Sequence, residues 1–444
     1  MATPDNVVDI VARHTYGTWR PQKGWRPLHI VRAEGSCFFD ASGKRFLDMS
    51  AQLMCVNLGH GNEVVIEAIC KQARDLAFIA PGFATSIRAE LATKLLEVVP
   101  RGIDKFFFAT SGTEANECAI KMARLYTGKH KVIARYNSYH GSTATASALT
   151  GDYRRWFAEP VDSVVPGVIH APECNTYRPG AFPSASAVVD YYEYILQNEA
   201  HVAAIIVEPV VGTNGVLVPP DDYFPRLRAL CDKYGVVLIA DEVMSGWGRT
   251  GQWFAINHWN VSPDILVTAK GVTSAMAPLG VVGTSRAIAD YFEEGWFAHG
   301  HTYESHPLTL APAVAAIGEY QRLGLIDRSR TVGETLMGPR LRALAEKHPC
   351  VGDVRGLGMF WGVELVRDRA TKEPLGTYHD KYARRPMQIE ALAAELMKRG
   401  VYAVGWMSHF VFAPPLIITE AELEEFFSIF DEVLGIADQM LGLG

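Results

Sequence analysis

The chain has 444 residues, 48% of them hydrophobic and 20% charged, enough to bury a sizeable core and to build two domains. Its formal net charge of -7 comes without a long basic run, which argues against nucleic acid as a partner, and no apolar stretch approaches the roughly 18 residues that a membrane span requires. Seven scattered cysteines, an odd number with no Cys-x-x-Cys, indicate neither a disulfide framework nor a zinc site, so a cytoplasmic protein that acts on small molecules and holds no metal is expected.

The first residues carry no apolar signal core, so export is not expected. In chain order the first pattern is Cys37-Phe-Phe-Asp40-Ala-Ser-Gly43-Lys-Arg-Phe-Leu-Asp48, which predicts two short strands about an Asp-Ala-Ser-Gly turn. From about residue 62 helices alternate with short apolar strands, predicted at 105–109, 131–134, 202–207, 236–240 and 265–267. That alternation marks an α/β fold with a mostly parallel sheet sandwiched by helices. After about residue 310 amphipathic helices return at 310–323, 387–399 and 420–441, with strand-like segments at 358–365 and 409–413. No repeat or linker separates the parts, so residues 1–61 and 311–444 are expected to form one small α+β domain beside a large domain over 62–310.

Two apolar strands end in opposite charges: one closes at Asp241, and Lys270 follows the other. The carboxyl ends of strands are where α/β sheets place ligands. A lysine able to form a Schiff base, with an aspartate to hold a pyridinium nitrogen, is the pairing that pyridoxal phosphate chemistry requires, although one such pair is equally an ion pair of structural use. Asp241 and Val243 stand two apart on extended chain and face one side, so Val243 can pack on a ring whose nitrogen Asp241 holds.

Ser111-Gly112-Thr113-Glu-Ala-Asn116 follows a strand and opens a helix predicted over 114–126. Free N–H groups, hydroxyls and the positive end of the helix dipole converge at such a turn and suit phosphate; an ordinary N-cap is the plainer use of the same residues. Tyr139-His140-Gly141 lies after the next strand, where Tyr139 can stack on the ring face opposite Val243. Glu208 ends the strand at 202–207 and is a candidate supporting or substrate-facing carboxylate.

In this order these residues resemble the class III pyridoxal phosphate aminotransferases of fold type I. The likeness is carried by Ser111-Gly-Thr-Glu-Ala-Asn, Tyr139-His-Gly-Ser-Thr, Glu208-Pro, Asp241-Glu-Val with Gly248-Arg-Thr-Gly251, Lys270-Gly271, His301-Thr-Tyr303 and Ala413-Pro-Pro-Leu416. It implies Lys270 as the Schiff-base and proton-transfer lysine, Asp241 at the pyridine nitrogen, and Tyr139 and Val243 against the ring. It further implies a phosphate site of Ser111, Gly112, Thr113 and, from a partner subunit, Thr302, hence a homodimer or a dimer of dimers. His140 and Glu208 complete the expected cofactor contacts, and Trp19, Met54, Tyr139 and Trp406 are the candidates for the substrate pocket. The branch it resembles most passes an amino group from an ω-amino acid or amine donor to a keto-acid acceptor, pyruvate by preference, with taurine:pyruvate and 4-aminobutyrate:2-oxoglutarate activities as alternatives.

Many relatives place an arginine just before Pro-Pro-Leu to grip the substrate carboxylate, whereas Val401-Tyr-Ala-Val-Gly-Trp-Met-Ser-His-Phe-Val-Phe-Ala contains none. Arg20, Arg26 and Arg135 are the candidate replacements. Aminomutase and decarboxylase activities use the same cofactor cradle and differ only in how substrate is oriented. Gly246-Trp-Gly248-Arg-Thr-Gly251 also fits a dinucleotide-binding glycine motif, but no apolar-faced helix starts at Gly251 and Pro263 interrupts the strand that should carry the acid. His299, His301 and His306 match no metal-binding helical spacing.

Overall fold

A computed structural model describes residues 4–160 and 165–443. Its centre is a seven-stranded sheet in the order Ile103–Ala109, Gly280–Ser285, Ile265–Thr268, Val237–Asp241, Val202–Val207, Lys131–Arg135 and Val168–Ala171. The five strands from Ile265–Thr268 to Val168–Ala171 pair in parallel, while Gly280–Ser285 runs antiparallel to both its neighbours. The strand expected at 236–240 is displaced by one residue, so Asp241 is its last member, in register with Val267. Gly280–Ser285 and Val168–Ala171 are strands that the apolar pattern did not announce.

Alternate residues of the sheet face two different cores, which is why its strands read as unbroken apolar runs. Ala204, Ile206, Val237 and Ile239 join one cluster with Ala115, Cys118 and Ala119 of the helix Gly112–Thr127. Ile205, Val207, Leu238 and Ala240 join the other with Tyr192 of Ala185–Asn198 and Leu227 of Tyr223–Tyr234. At about 2 kcal/mol for each buried aliphatic side chain, this double burial fixes where the strands end.

The expected hairpin forms from Cys37–Asp40 and Arg45–Asp48, and the latter pairs in parallel with Val401–Tyr402, which ties the two ends of the chain together. A further sheet contains Val351–Leu357, Phe360–Asp368, His409–Phe412 and Val404–Trp406. The helix Glu420–Leu441 starts with a capping box between Thr419 and Glu422, and its Phe430 packs on Phe412 at 4.9 Å between ring centroids.

Candidate active site

The carboxyl ends of the parallel strands, together with the turn that opens the helix Gly112–Thr127, surround a cavity of about 440 Å³. Its lining brings together Ser111, Gly112, Thr113, Tyr139, His140, Glu208, Asp241, Val243 and Lys270, residues spread over more than half of the large sheet. Asn116, the last residue of the Ser111 motif, also stands on the wall, as do Cys55, Thr213 and Met244, which carry no signal of their own in the sequence.

Each side chain is placed by its neighbours. Ser111 caps the helix by accepting from the Glu114 N–H at 3.2 Å, and Glu114 in turn accepts from the Thr110 N–H at 2.9 Å. Helix geometry leaves the first N–H groups, those of Gly112 and Thr113, without an intrahelical acceptor, and they stand on the cavity wall. A side chain at 112 would come within 3.0 Å of both Val243 methyl groups, so only glycine lets that turn and Val243 share the cavity.

Asp241 is buried, and its carboxylate is held at three points. Asn116 Nδ2 donates to it at 2.8 Å, His140 Nδ1 lies 2.8 Å from the same oxygen, and the Val243 N–H donates at 3.0 Å. These contacts fix the carboxylate's orientation and satisfy its acceptor oxygens in a buried place. Glu208 is pinned by the Tyr139 N–H at 3.0 Å and the Gly212 N–H at 2.9 Å, yet burial raises its pKa.

Lys270 forms no ion pair among the described residues, and burial lowers its pKa. It opens a tight turn with φ of 48°, and the turn ends in Ser274 at 50° and Ala275 at 61°; left-handed conformations at such residues cost energy and persist only when their surroundings impose them. Those surroundings are the Tyr320 hydroxyl donating to the Gly271 carbonyl at 2.8 Å, and the Leu58 N–H donating to Ser274 Oγ at 2.9 Å.

The substrate-pocket candidates fall differently. Met54, expected against the substrate, is buried in the main core, because Ala51, Gln52 and Met54 all take positive φ and the kink brings Cys55 to the cavity instead. Trp19 stands edge-on to Tyr139 at 6.4 Å and lines a separate outer cavity. Trp406 is held away from the inner wall by donating to Asn214 Oδ1 at 3.0 Å. Thr302 is exposed on a turn and does not line the cavity of its own chain.

Nor do the replacement arginines reach this cavity. Arg135 is enclosed beneath Glu208, donating to its carbonyl oxygen; Arg26 pairs with Asp9 at 2.9 Å on the surface; Arg20 lines the outer cavity. The cation that sequence reasoning missed is Arg154. Its guanidinium carbon sits 3.7 Å from the Tyr139 ring centroid and 4.7 Å from that of Trp406, and its Nε donates to both oxygens of Asp152 at 3.0 Å. Burial works against its charge, but the Asp152 carboxylate outweighs this and raises its pKa.

His299 and His301 pack edge-on against Phe107, and His306 accepts from the Leu308 N–H at 3.3 Å at a helix start. The glycine motif at 246–251 leads into turns and a short 3-10 helix over Ala255–Trp259, so it opens no phosphate-binding helix.

An anchored carboxylate, a buried unpaired lysine and free N–H groups around one cavity define the class of enzyme that works through pyridoxal phosphate. The lining fits that group: His140 Nε2 and Asn116 Oδ1, both on the wall, are buried without a hydrogen-bond partner among the described residues, and Gly112 leaves room that a Cβ would fill. The family model for aminotransferase class III matches residues 20–434, and the chain belongs to that family. It is a pyridoxal-phosphate-dependent aminotransferase of fold type I. It is 35% identical over 415 residues to a putrescine–pyruvate aminotransferase of Pseudomonas aeruginosa, covering 90% of this chain and 89% of that one. To a taurine–pyruvate aminotransferase of Bilophila wadsworthia it is 33% identical over 440 residues, 95% of each chain. Among solved structures, a taurine:2-oxoglutarate aminotransferase from Bifidobacterium kashiwanohense, in complex with pyridoxal phosphate and glutamate, superposes with a TM-score of 0.95 at 37% identity and 99% coverage of both chains.

Proposed function

We propose that this enzyme moves the amino group of a terminal amine, from an ω-amino acid or simple amine, to pyruvate, by a ping-pong cycle centred on Lys270. The observation that carries this reading is the composition of the inner cavity: among the residues that line it, Lys270 is the only lysine or arginine. That wall suits an amine on an uncharged carbon, which needs no second fixed cation at the reacting end, while the carboxylate of the keto acid would be taken by Arg154 beside Tyr139. The relatives' names, putrescine–pyruvate and taurine–pyruvate, describe donors of that kind.

When bound, pyridoxal phosphate supplies a carbonyl for the incoming amine and a ring that accepts the electron pair left as the donor carbon loses its proton. Lys270 Nζ would be the group that takes that proton, holds it and gives it back. Its burial makes this easier, because desolvation lowers its pKa and yields the free base at lower pH. Asp241 would hold the ring nitrogen, and Asn116 and His140 fix its carboxylate for that role. Tyr139 and Val243, both on the cavity wall, would pack against the ring. Ser111, Gly112 and Thr113 take the phosphate at the helix start, where N–H groups and the dipole favour an anion. Glu208 holds the Tyr139 and Gly212 backbones in place.

Pyruvate is favoured over 2-oxoglutarate as acceptor because Arg154, shared with Asp152, is the one Lys or Arg over the Tyr139 ring among the described residues, and a second buried carboxylate without a partner costs on the order of several kcal/mol. We further propose a cytoplasmic homodimer in which Thr302 of one subunit reaches the phosphate site of the other. Residues 1–61 and 311–444 act as one small domain against 62–310. The test is a half-reaction panel: donors are mixed with the cofactor-loaded enzyme, and alanine or glutamate is quantified after pyruvate or 2-oxoglutarate is added. Faster glutamate than alanine formation would overturn the acceptor assignment, and intersecting rather than parallel initial-rate plots would overturn the ping-pong order.

A further inference from the structure

Outside the inner cavity lies a second one of about 820 Å³, and its walls are of a different kind. The floor is aromatic, from Trp19, Tyr153 and Phe157, and the rim carries Arg20, Lys381, Arg384 and Arg385 against a single acid, Glu390. Two of these cations are already committed. Lys381 pairs with Glu390, and Arg385 pairs with Asp380 at 2.6 Å. Arg20 and Arg384 form no ion pair among the described residues; the only partner of the Arg20 side chain there is the Thr18 carbonyl, 3.4 Å from its Nε.

This cavity adjoins the reaction site through its aromatics. Trp19 is edge-on to Tyr139 at 6.4 Å, and the ring of Tyr153 lies 5.5 Å from that of Trp406. Tyr139 itself lines the inner cavity. An extended molecule that puts one end beside Lys270 therefore has an aromatic path past Tyr139 and Trp19, where the Asp152-paired Arg154 guanidinium lies over both rings, and emerges in the outer cavity whose walls carry the two uncommitted guanidinium groups.

We propose that the outer cavity is a binding site for the distal carboxylate of an extended substrate, taken by Arg20 and Arg384 while the terminal amine of the same molecule reaches Lys270. The methylene chain of a long ω-amino acid covers the aromatic floor, and a planar carboxylate suits the guanidinium fork. Both arginines are exposed, so the attraction is screened by salt over a Debye length of about 8 Å at physiological ionic strength, and it adds selectivity rather than tight binding.

This inference rests on the aminotransferase reading of the inner cavity, and two measurements separate the two. The first compares kcat/KM for 6-aminohexanoate and for hexylamine, which share the reacting end and differ in the distal charge. Replacing both arginines, Arg20→Ala with Arg384→Ala, should lower the 6-aminohexanoate to hexylamine ratio roughly three- to tenfold, and Arg384→Glu should lower it further. The second is calorimetric binding of adipate, which has no amine, to the cofactor-loaded enzyme; the double variant or added NaCl should weaken it by a similar factor. An unchanged ratio, or a uniform loss with both amines, overturns the outer site, as does adipate binding indifferent to the two substitutions. Absence of turnover with either amine in the unmodified enzyme would count against the donor assignment alone, and the adipate titration would still decide the outer site.

Discussion

Asp241 and Glu242 are adjacent carboxylates with opposite environments, and the difference sets what each can do. Asp241 faces the cavity with three donors around it, so Asp241→Asn preserves the shape while removing the charge proposed to hold a proton on the ring nitrogen. Cofactor should still bind, and single-turnover deprotonation of the donor should slow roughly 10²-fold or more, a loss that stopped-flow absorbance would register. Glu242 points away from the cavity, accepts from Ser245 Oγ at 2.5 Å and the Ile256 N–H at 2.7 Å, and is pushed by burial from 4.5 to about 7. The folded state therefore holds this proton to higher pH than the unfolded chain. Between about 4.5 and about 7 it binds more protons than the unfolded chain does, so this group makes stability fall as pH rises, by about 3 kcal/mol in all. Glu242→Gln should flatten that slope, seen as urea midpoints that change less between about pH 5 and about pH 7.5 than those of the unmodified enzyme. Lys270→Ala should cost roughly 10²- to 10⁴-fold in turnover with cofactor still loaded, and added methylamine should restore part of the rate if the missing function is proton transfer.

The places of Lys270 and Asp241 on the cavity wall were legible because Asp241 ends one apolar strand and Lys270 lies just past another, and the carboxyl ends of such strands are where α/β sheets place ligands. Arg154 was not. It lies next to Tyr139 only because the chain folds back, and an Asp-Tyr-Arg triplet announces a local ion pair but not the aromatic ring it covers. Met54 was misplaced for a related reason: three positive φ values in four residues invert which side chain faces inward, and no glycine or asparagine marks the kink.

At the scale of elements, the turn between the strand Ile103–Ala109 and the helix Gly112–Thr127 does most to shape the cavity. Gly112→Ala places a methyl group 3.0 Å from both Val243 methyls, so the helix start or Val243 must move. The expected result is a loss of about 1–3 kcal/mol, appearing as weaker pyridoxal phosphate affinity by equilibrium dialysis rather than as global unfolding. An affinity equal to that of the unmodified enzyme would mean that Val243 gives way freely and does not define the ring site. Four of the five parallel strands were readable as apolar runs, with boundaries within one residue, whereas Val168–Ala171 offers only two aliphatic residues before a histidine and was not. Gly280–Ser285 escaped because Gly-Val-Val-Gly-Thr-Ser offers two apolar positions between glycines, and its pairing on both sides, not its composition, makes it a strand. Gly280 is required there, since a Cβ would meet the Ser111 carbonyl oxygen at 2.2 Å.

At the scale of the whole molecule, the surface near Thr302 bears on how the site is completed. Thr302 is exposed, and its neighbour Tyr303, itself 59% exposed, clusters with Phe78 and His306 at 6.1 and 5.8 Å between ring centroids. Exposed aromatic side chains grouped in this way suit the subunit contact proposed above. If Thr302 serves the partner's phosphate site, then Thr302→Ala should weaken cofactor binding by about 1 kcal/mol, the worth of one hydrogen bond. The decisive experiment mixes two crippled subunits. A Lys270→Ala chain keeps its threonine, and a Thr302→Ala chain keeps its lysine, so a hybrid dimer contains one site in which both are intact, provided the threonine crosses the interface. Refolding the two together should therefore restore full cofactor affinity and turnover to one site per hybrid. If Thr302 acts within its own chain, every site with a lysine lacks its threonine, and mixing restores nothing.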